Sequence, residues 1–401
     1  MKILFCGSFF PADREDEIWK NSKGVIVLAS HVFQEALIDG WKANRYTNIS
    51  LLTLPCIGSF PKRYKKIYFR SSFFEFNSQP NICGGFLNIT LIKKISIVNT
   101  LKQNIKKWAL QYKGDQKTVV IYGMASEYLT AAIHIKKKFP EIEICVIILD
   151  LPEYFDDKKD LVSRLYSYID TKRSYSYTRY IDSYVLLTKH MADVLKVKKG
   201  KWMLLEGIYL PDKSNGLNIR RSEKNIILYT GKFDARFGLQ TLLDAFMNII
   251  DDNYELWLCG DGTFKERIIA CSQSDNRIKY MGLLKRDEVL ILQRKATILI
   301  NPRQPKGEYT KYSFPSKTME YMASGTPTIM YNLSGIPAEY LPYLIIVKDN
   351  TVETLKETIV SWCSKSSEEL STFGKKASEF ILKNKNAQVQ SKRIVDFINK
   401  G

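Results

Sequence analysis

Histidine is scarce in this chain, with three residues in 401, and acidic side chains are outnumbered, 42 Asp and Glu against 60 Lys and Arg. The resulting net charge of +18 suits a polyanionic neighbour such as nucleic acid, a phosphorylated substrate or an anionic membrane face, without choosing among them. Long apolar runs are missing too. Nowhere do about 18 apolar residues follow one another, so no membrane-spanning helix is expected. The opening MKILFCGSFFP holds one basic residue and a short apolar run, which is not the build of a signal peptide. The expectation is a cytoplasmic protein, touching a membrane at most from its inner face. Cys-x-x-Cys is absent. The seven scattered cysteines, an odd number, form neither a disulfide framework nor a structural zinc site and read as small buried hydrophobes.

What is present is globular material: 45% apolar and 25% charged residues, with 21 Gly and 13 Pro. At roughly 150 residues per domain, the length asks for two domains or one elaborate one. Residues 2–6 followed by Gly7-Ser8 read as a buried strand entering a glycine turn. After Lys23-Gly24, the apolar positions Val27, Phe33 and Leu37 predict a helix. Apolar runs at 49–54, 118–122, 144–149 and 184–187 alternate with longer periodic segments, of which 126–139 is the plainest helix. This alternation predicts a doubly wound parallel sheet. Polar, turn-rich stretches at 198–201 and 211–216 mark a change of domain. The rhythm then restarts with strand 225–229, helix 239–250, and strands 256–259 and 298–300. The expected architecture is α/β: two Rossmann-like domains facing each other across a cleft, over 1–208 and 209–385. A basic helical segment, 386–401, is expected to return toward the first.

Two stretches stand apart. Segment 61–70 combines Lys62, Arg63, Lys65, Lys66 and Arg70 with Tyr64, Ile67, Tyr68 and Phe69, holds no acid, and continues into Phe73, Phe74 and Phe76. Such a mixture can place rings at a headgroup interface while its cations meet lipid phosphate; a solvated basic turn is the other reading. Segment 172–184, also rich in Tyr, Lys and Arg, reads as a surface helix with core-facing tyrosines.

Two motifs can carry chemistry. The run from Tyr229 to Gly238, YTGKFDARFG, puts a glycine turn after a strand and two cations before a helix. A pyrophosphate there would meet backbone N–H groups at the positive helix end, flanked by Lys232 and Arg236. In SFPSKTMEYMASGTPTI, residues 313–329, a hydroxyl-bearing loop feeds a helix that contains Glu320 and is ended by Gly325. Loops at the carboxyl ends of strands form the ligand crevice of α/β domains, so Glu320 is expected to point at a bound ribose or sugar. Its two oxygens suit a pair of vicinal hydroxyls.

Four pieces in order, TGKFDARFG, LWLCGDG, RIKYMG and SFPSKTMEYMASGTPTI, spread from Tyr229 to about Glu339, resemble the retaining nucleotide-sugar glycosyltransferases of family 4. This is the glycogen-synthase-like group with the GT-B fold, and the resemblance is to its bacterial polysaccharide-assembly type. It implies a donor nucleotide in the second domain and an acceptor in the first. Lys232 takes the place usually held by Arg after the glycine and Arg236 approximates the usual Lys, so Gly231, Lys232 and Arg236 are expected at the donor diphosphate, the two cations also serving catalysis. Glu320 is the second member of the family's Glu-x7-Glu pattern, on the ribose. The first member falls at Tyr312, with Glu308 near enough in sequence to substitute. Ser313, Pro315, Ser316 and Lys317 sit where the loop meets sugar and phosphate, and Gly282-Leu283 where backbone meets the base. Gly260 and Gly262 shape a turn, and Glu206-Gly207-Ile208 resembles the step that ends the first domain. In that domain Gly7 and Gly24 resemble glycine loops approaching the diphosphate, and Asp150 takes the strand-end position near the reacting sugar.

The reaction so implied is sugar transfer with retention, without metal or other cofactor, and the sequence has no Asp-x-Asp. The diphosphate itself can take the acceptor's proton. The acceptor expected is a saccharide on polyprenyl diphosphate, in capsule, exopolysaccharide or O-antigen assembly. Peripheral contact with an anionic membrane is expected through 61–76, and no nucleic acid partner. A nucleotide-sugar 2-epimerase of the same fold and a non-enzymatic nucleic-acid-binding protein are the rival readings; the latter predicts strongly salt-dependent binding to DNA or RNA.

Overall fold

The computed structural model describes residues 1–24, 29–90, 92–154, 161–211 and 223–400. Val27 and positions 212–216 of the turn-rich stretch lie outside the described residues. The chain divides into two compact units, Met1–Ile208 with Ala387–Gly401, and Tyr209–Asn386.

The first unit is built on an eight-stranded sheet. Lys2–Gly7 runs parallel between Ile49–Thr53 and Lys117–Tyr122. Beyond the latter, Ile142–Ile148, Ser183–Leu186 and Trp202–Leu204 add in turn, all parallel. Strands of this kind are covered on both faces, which is why they read as unbroken apolar runs; positions 144–148 are all buried. On the other side Gln79–Cys83 joins Ile49–Thr53 in parallel and Ser72–Phe76 closes the edge antiparallel. The hairpin between them turns on Asn77 and Ser78, both left-handed at φ 50 and 59, as a two-residue hairpin requires.

The core of this unit, with Phe5, Trp41, Val120 and Ile147, takes Ile394 and Val395 from the last helix, Ala387–Lys400. That helix packs on Ala29–Ala43 at Gly40, where a side chain would strike the Ala387 carbonyl. Asn44 Nδ2 donates to the Gln388 carbonyl (2.8 Å) and to Ser391 Oγ (3.1 Å) beside it. Within 61–76, Tyr64, Phe69 and Phe76 are buried, while Ile67, Tyr68 and Phe73 and all five cations are exposed. Segment 172–184 is not one helix. It comprises the end of Leu161–Ser176, a tight turn Thr178–Tyr180 and the start of a strand, and of its tyrosines only Tyr184 is fully buried.

The second unit holds six parallel strands in the order Ile278–Gly282, Tyr254–Cys259, Asn225–Thr230, Ile298–Asn301, Thr328–Tyr331, Ile345–Val347. Numbered by sequence this is the 3-2-1-4-5-6 order of a Rossmann sheet, whose direction of growth reverses between the first and fourth strands. The closing segment consists of Ser367–Asn384, started by a reciprocal Ser366–Glu369 cap in the second unit, and Ala387–Lys400 in the first.

Candidate functional site

The two strands that meet at the reversal point of the second unit send their carboxyl ends to one place. Asn225–Thr230 is followed by Gly231-Lys232, and Ile298–Asn301 by Pro302-Arg303. Successive connections leave there in opposite directions and open a crevice. A cavity of about 240 Å3 occupies it, lined among others by Gly231 and Lys232, by Arg303, and by Pro315, Ser316 and Lys317. Gly238, left-handed at φ 77, starts the helix Leu239–Met247; a side chain on it would strike the Pro302 carbonyl, so the two strand exits pack backbone on backbone.

Three cations therefore face one cavity. Lys317 stands in the first turn of Ser316–Ala323, whose amino end carries no side-chain cap and leaves its first N–H groups for a ligand. The helix is anchored by Tyr321, whose buried hydroxyl accepts from the Thr230 N–H (2.7 Å) and donates to the Thr230 carbonyl (2.9 Å), 91 residues away. Burial pushes this phenol far above its ordinary range, so it stays a donor. Tyr229 donates its hydroxyl to the Lys232 carbonyl (2.8 Å) and so fixes the backbone of the first cation.

Arg303 is the residue that sequence reasoning missed. Its Nη2 donates to Ser313 Oγ (3.0 Å), and its guanidinium lies over the rings of Phe237 (5.4 Å) and Tyr309 (4.7 Å). Its Nε is buried without an acceptor, and no carboxylate pairs with it among the described residues. Stacking holds the group in place and leaves its charge uncompensated. The available signal was Asn301-Pro302-Arg303 at a strand end, which gains meaning only once that strand is known to lie beside Asn225–Thr230.

Arg236 does not line the cavity. Asp234 holds it on both sides, with Nε on Oδ1 (3.0 Å) and Nη2 on Oδ2 (2.7 Å), and the Arg236 backbone N–H also reaches Oδ1 (3.0 Å). Hydrogen bonding from Arg236 holds the Asp234 carboxyl at a pKa of about 2. Glu320, expected to point at a ligand, does not itself line the cavity: Oε1 accepts from Lys317 Nζ (2.8 Å) and Gln293 Nε2 (2.7 Å), and Oε2 has no partner among the described residues. Gln293, fully buried on Arg286–Lys295, was also missed; a lone amide in a helix gives no hint of what it touches.

The remaining expected residues are placed as follows. Ser313 supports Arg303. Glu308 and Tyr312 belong to the short turn Glu308–Tyr312; Glu308 is exposed, 3.6 Å from Lys311, and neither lines the cavity. The Gly282 carbonyl accepts from the Gly260 N–H (2.9 Å), and Leu283 is exposed. In the first unit, Gly7 ends the central strand, and Ser8 is fixed by the buried amide of Gln34, which accepts from the Ser8 N–H (2.8 Å). Tyr128 donates to the Gly7 carbonyl (3.0 Å). Gly24 is left-handed at φ 91, and a side chain there would meet nothing within 4 Å among the described residues. Asp150 follows Ile142–Ile148; the residue is exposed, yet surrounding protein crowds its carboxyl and raises its pKa. Among the described residues no three of His, Cys, Asp and Glu group as metal ligands. No described helix is long and apolar enough to cross a membrane.

Solved structures resemble the whole chain. Sucrose-phosphate synthase from Thermosynechococcus elongatus is 15% identical with a TM-score of 0.62, over 100% of this chain and 99% of that one. Anabaena HepE in complex with UDP is 13% identical with a TM-score of 0.62, over 100% of both chains. A glycosyltransferase from Rickettsia africae is 14% identical with a TM-score of 0.65, over 100% of this chain and 98% of that one. At these identities the likeness establishes the fold, which is GT-B with two Rossmann-like domains. A comparison with curated proteins finds no match. Residues 224–365, which contain the cavity and its three cations, match the model of the family described as Glycosyl transferases group 1.

Proposed function

We propose that the chain is a retaining glycosyltransferase that moves a sugar from a nucleoside-diphosphate sugar to a saccharide acceptor. The observation that carries this reading is the convergence of Lys232, Arg303, Lys317 and an uncapped helix start on one cavity at the reversal point, inside the segment that matches group 1 glycosyltransferases. Such a constellation suits a diphosphate, and HepE, a structural neighbour, is described in complex with UDP. Glu320, steadied by Gln293, is assigned to the ribose.

In the reaction the bond between the anomeric carbon and the diphosphate oxygen breaks, and the acceptor oxygen bonds to that carbon on the same face. The acceptor's proton passes to the departing phosphate oxygen. Charge builds on the leaving group and on an oxocarbenium-like sugar, and fixed cations facing the former lower the barrier without a metal. As the sequence resemblance implies, Asp150 is assigned to the reacting sugar and the Gly7 and Gly24 loops to the diphosphate, while Arg236, held by Asp234, is given no part in gripping it. The acceptor is a lipid-linked saccharide of cell-surface polysaccharide assembly, reached from the cytoplasmic membrane face, with 61–76 as the contact.

Thermal unfolding with UDP, GDP and ADP tests the donor half of this reading. A nucleotide at 100 times its Kd should stabilise the protein by about 2.7 kcal/mol, and a flat response to all three would refute it. Donor consumption that requires an added saccharide acceptor supports transfer; epimerisation without acceptor overturns it.

A further inference from the structure

The helix Leu161–Ser176 is built inside out. Among its described side chains, from Arg164 on, the protein side is polar: Asp170 accepts from Ser126 Oγ (2.6 Å) and pairs with Lys94 (2.9 Å), and Ser174 is buried. Its outer side carries Leu165, Tyr166, Tyr168 and Ile169, exposed by 62, 53, 58 and 58%. A helix docked on its core normally shows the opposite distribution, so this apolar stripe has no role in folding.

The stripe is not isolated. Lys94 lies over the Tyr166 ring at 5.1 Å and starts the helix Lys93–Gln111 beside exposed Ile92 and Ile95. Two residues on, Ser96 Oγ accepts from the Leu87 N–H (2.9 Å), and exposed Leu87 faces exposed Tyr68 across the Tyr68–Phe69 and Phe86–Leu87 pair. Exposed apolar groups thus continue from the helix to the basic segment around Ile67 and Tyr68.

Charge decides what covers this face. Leu161–Ser176 holds Arg164, Lys172 and Arg173 against one acid, Asp170, which pairs with Lys94 (2.9 Å), a lysine that Glu127 also approaches (3.5 Å). Arg164 has no hydrogen-bond or ion-pair partner among the described residues, and 62–70 adds five cations and no acid of its own, of which Lys66 pairs with Glu17 (2.8 Å). Two copies of such a surface repel each other, whereas an anionic bilayer attracts both the rim and, through tyrosines and aliphatic groups at headgroup depth, the stripe. We propose that this face of the first unit, centred on Leu165, Tyr166, Tyr168 and Ile169, seats on an anionic lipid surface. This deepens the membrane contact of the proposed function and rests on that part of it; it is independent of sugar transfer.

Co-sedimentation with phosphatidylglycerol–phosphatidylcholine vesicles and with pure phosphatidylcholine vesicles tests it, on the full chain. The wild type should bind the anionic vesicles, more weakly as salt rises, and hardly bind the neutral ones. Leu165→Glu with Ile169→Glu should weaken anionic-vesicle binding by about tenfold or more, and Leu165→Ser with Ile169→Ser by less, because no charge is added. Both positions are exposed, so an unchanged melting curve and unchanged UDP binding confirm a folded chain. If the wild type ignores anionic vesicles, this inference and the membrane contact of the proposed function fall together, and the donor cavity is untouched. If neutralising Lys62, Arg63, Lys65 and Arg70 abolishes binding while the helix variants bind like the wild type, the helix face is refuted and the contact through 61–76 stands. If the helix variants convert a dimer to a monomer with vesicle binding unchanged, the face joins two copies and the inference is overturned.

Discussion

Replacing Arg303 by Gln removes a cavity-facing guanidinium while much of its stem stays to pack on Phe237 and Tyr309. Of the three cations, Lys232 is exposed, and Lys317 is 43% exposed and paired with Glu320, so water or a carboxylate moderates each. Arg303 is half-buried, stacked on two rings and has no acid partner among the described residues, so its charge is the least screened. A hydrogen bond to a charged group contributes about 1.5–3 kcal/mol, and the planar fork offers more than one. Arg303→Gln is therefore expected to weaken UDP binding by about 2–3 kcal/mol, roughly 30- to 150-fold. Arg303→Lys, which keeps the charge but loses the fork, should fall between. Arg236 is 64% exposed and already engaged by Asp234, so Arg236→Gln should cost less than about 1 kcal/mol, roughly fivefold. Isothermal titration of UDP into each purified variant, with melting curves as the check on folding, gives both numbers. Unchanged affinity in Arg303→Gln, or a larger loss in Arg236→Gln, would show that the diphosphate is held elsewhere.

Gln293→Met removes the amide that steadies Glu320, so UDP affinity should fall by about 1 kcal/mol while inorganic pyrophosphate binds as before; equal losses for both ligands would remove Glu320 from the ribose. The Asp234 carboxyl is held at about 2 in the folded chain, below its ordinary 3.8, so its stabilisation is complete above about pH 4 and lost as pH falls through 2. Because its partner is exposed, the effect is about 1 kcal/mol. The stability gap between wild type and Asp234→Asn in urea unfolding should close between pH 4 and 2, and a gap independent of pH would contradict the ion pair. Gly40→Val, which drives a side chain into the Ala387 carbonyl, should destabilise the first unit by about 1–3 kcal/mol in denaturant; an unchanged midpoint would mean that the last helix is not seated there.

How legible an element was depended on whether its cause is local. Parallel strands covered on both faces are continuous apolar runs, so the stretches at 118–122, 144–149 and 225–229 were visible within two residues of Lys117–Tyr122, Ile142–Ile148 and Asn225–Thr230. The edge hairpin was not. Gln79–Cys83 reads QPNIC, with a proline and two amides, and is a strand only because Ile49–Thr53 and Ser72–Phe76 pair with it. The site divides the same way. Gly231, Lys232, Ser316 and Lys317 sit inside local motifs that announce a turn before a helix. Arg303 and Gln293 depend on which strand lies beside which and on a partner 27 residues away, and no window of sequence holds that information.

The fate of Arg236 shows why charge near a motif is a poor guide to a ligand. Asp275 and Arg277 repeat the Asp234 and Arg236 arrangement bond for bond: Oδ1 takes the backbone N–H two residues on (2.9 Å) and the guanidinium Nε (3.0 Å), while Oδ2 takes Nη2 (2.7 Å). At the second location the guanidinium also reaches the Asp251 carbonyl (3.2 Å) and has no part in the cavity. The Asp-x-Arg step is therefore a local turn device, complete without any ligand. A diphosphate arriving at Arg236 has to displace a carboxylate that is already bidentate, whereas at Arg303 it meets a preorganised guanidinium with no acid on it among the described residues. The net charge of +18 says nothing about this distinction, because it counts both arginines equally. What separates them is whether folding has already supplied the anion, and on that criterion the phosphates of the proposed donor are expected between Lys232, Arg303 and the start of Ser316–Ala323.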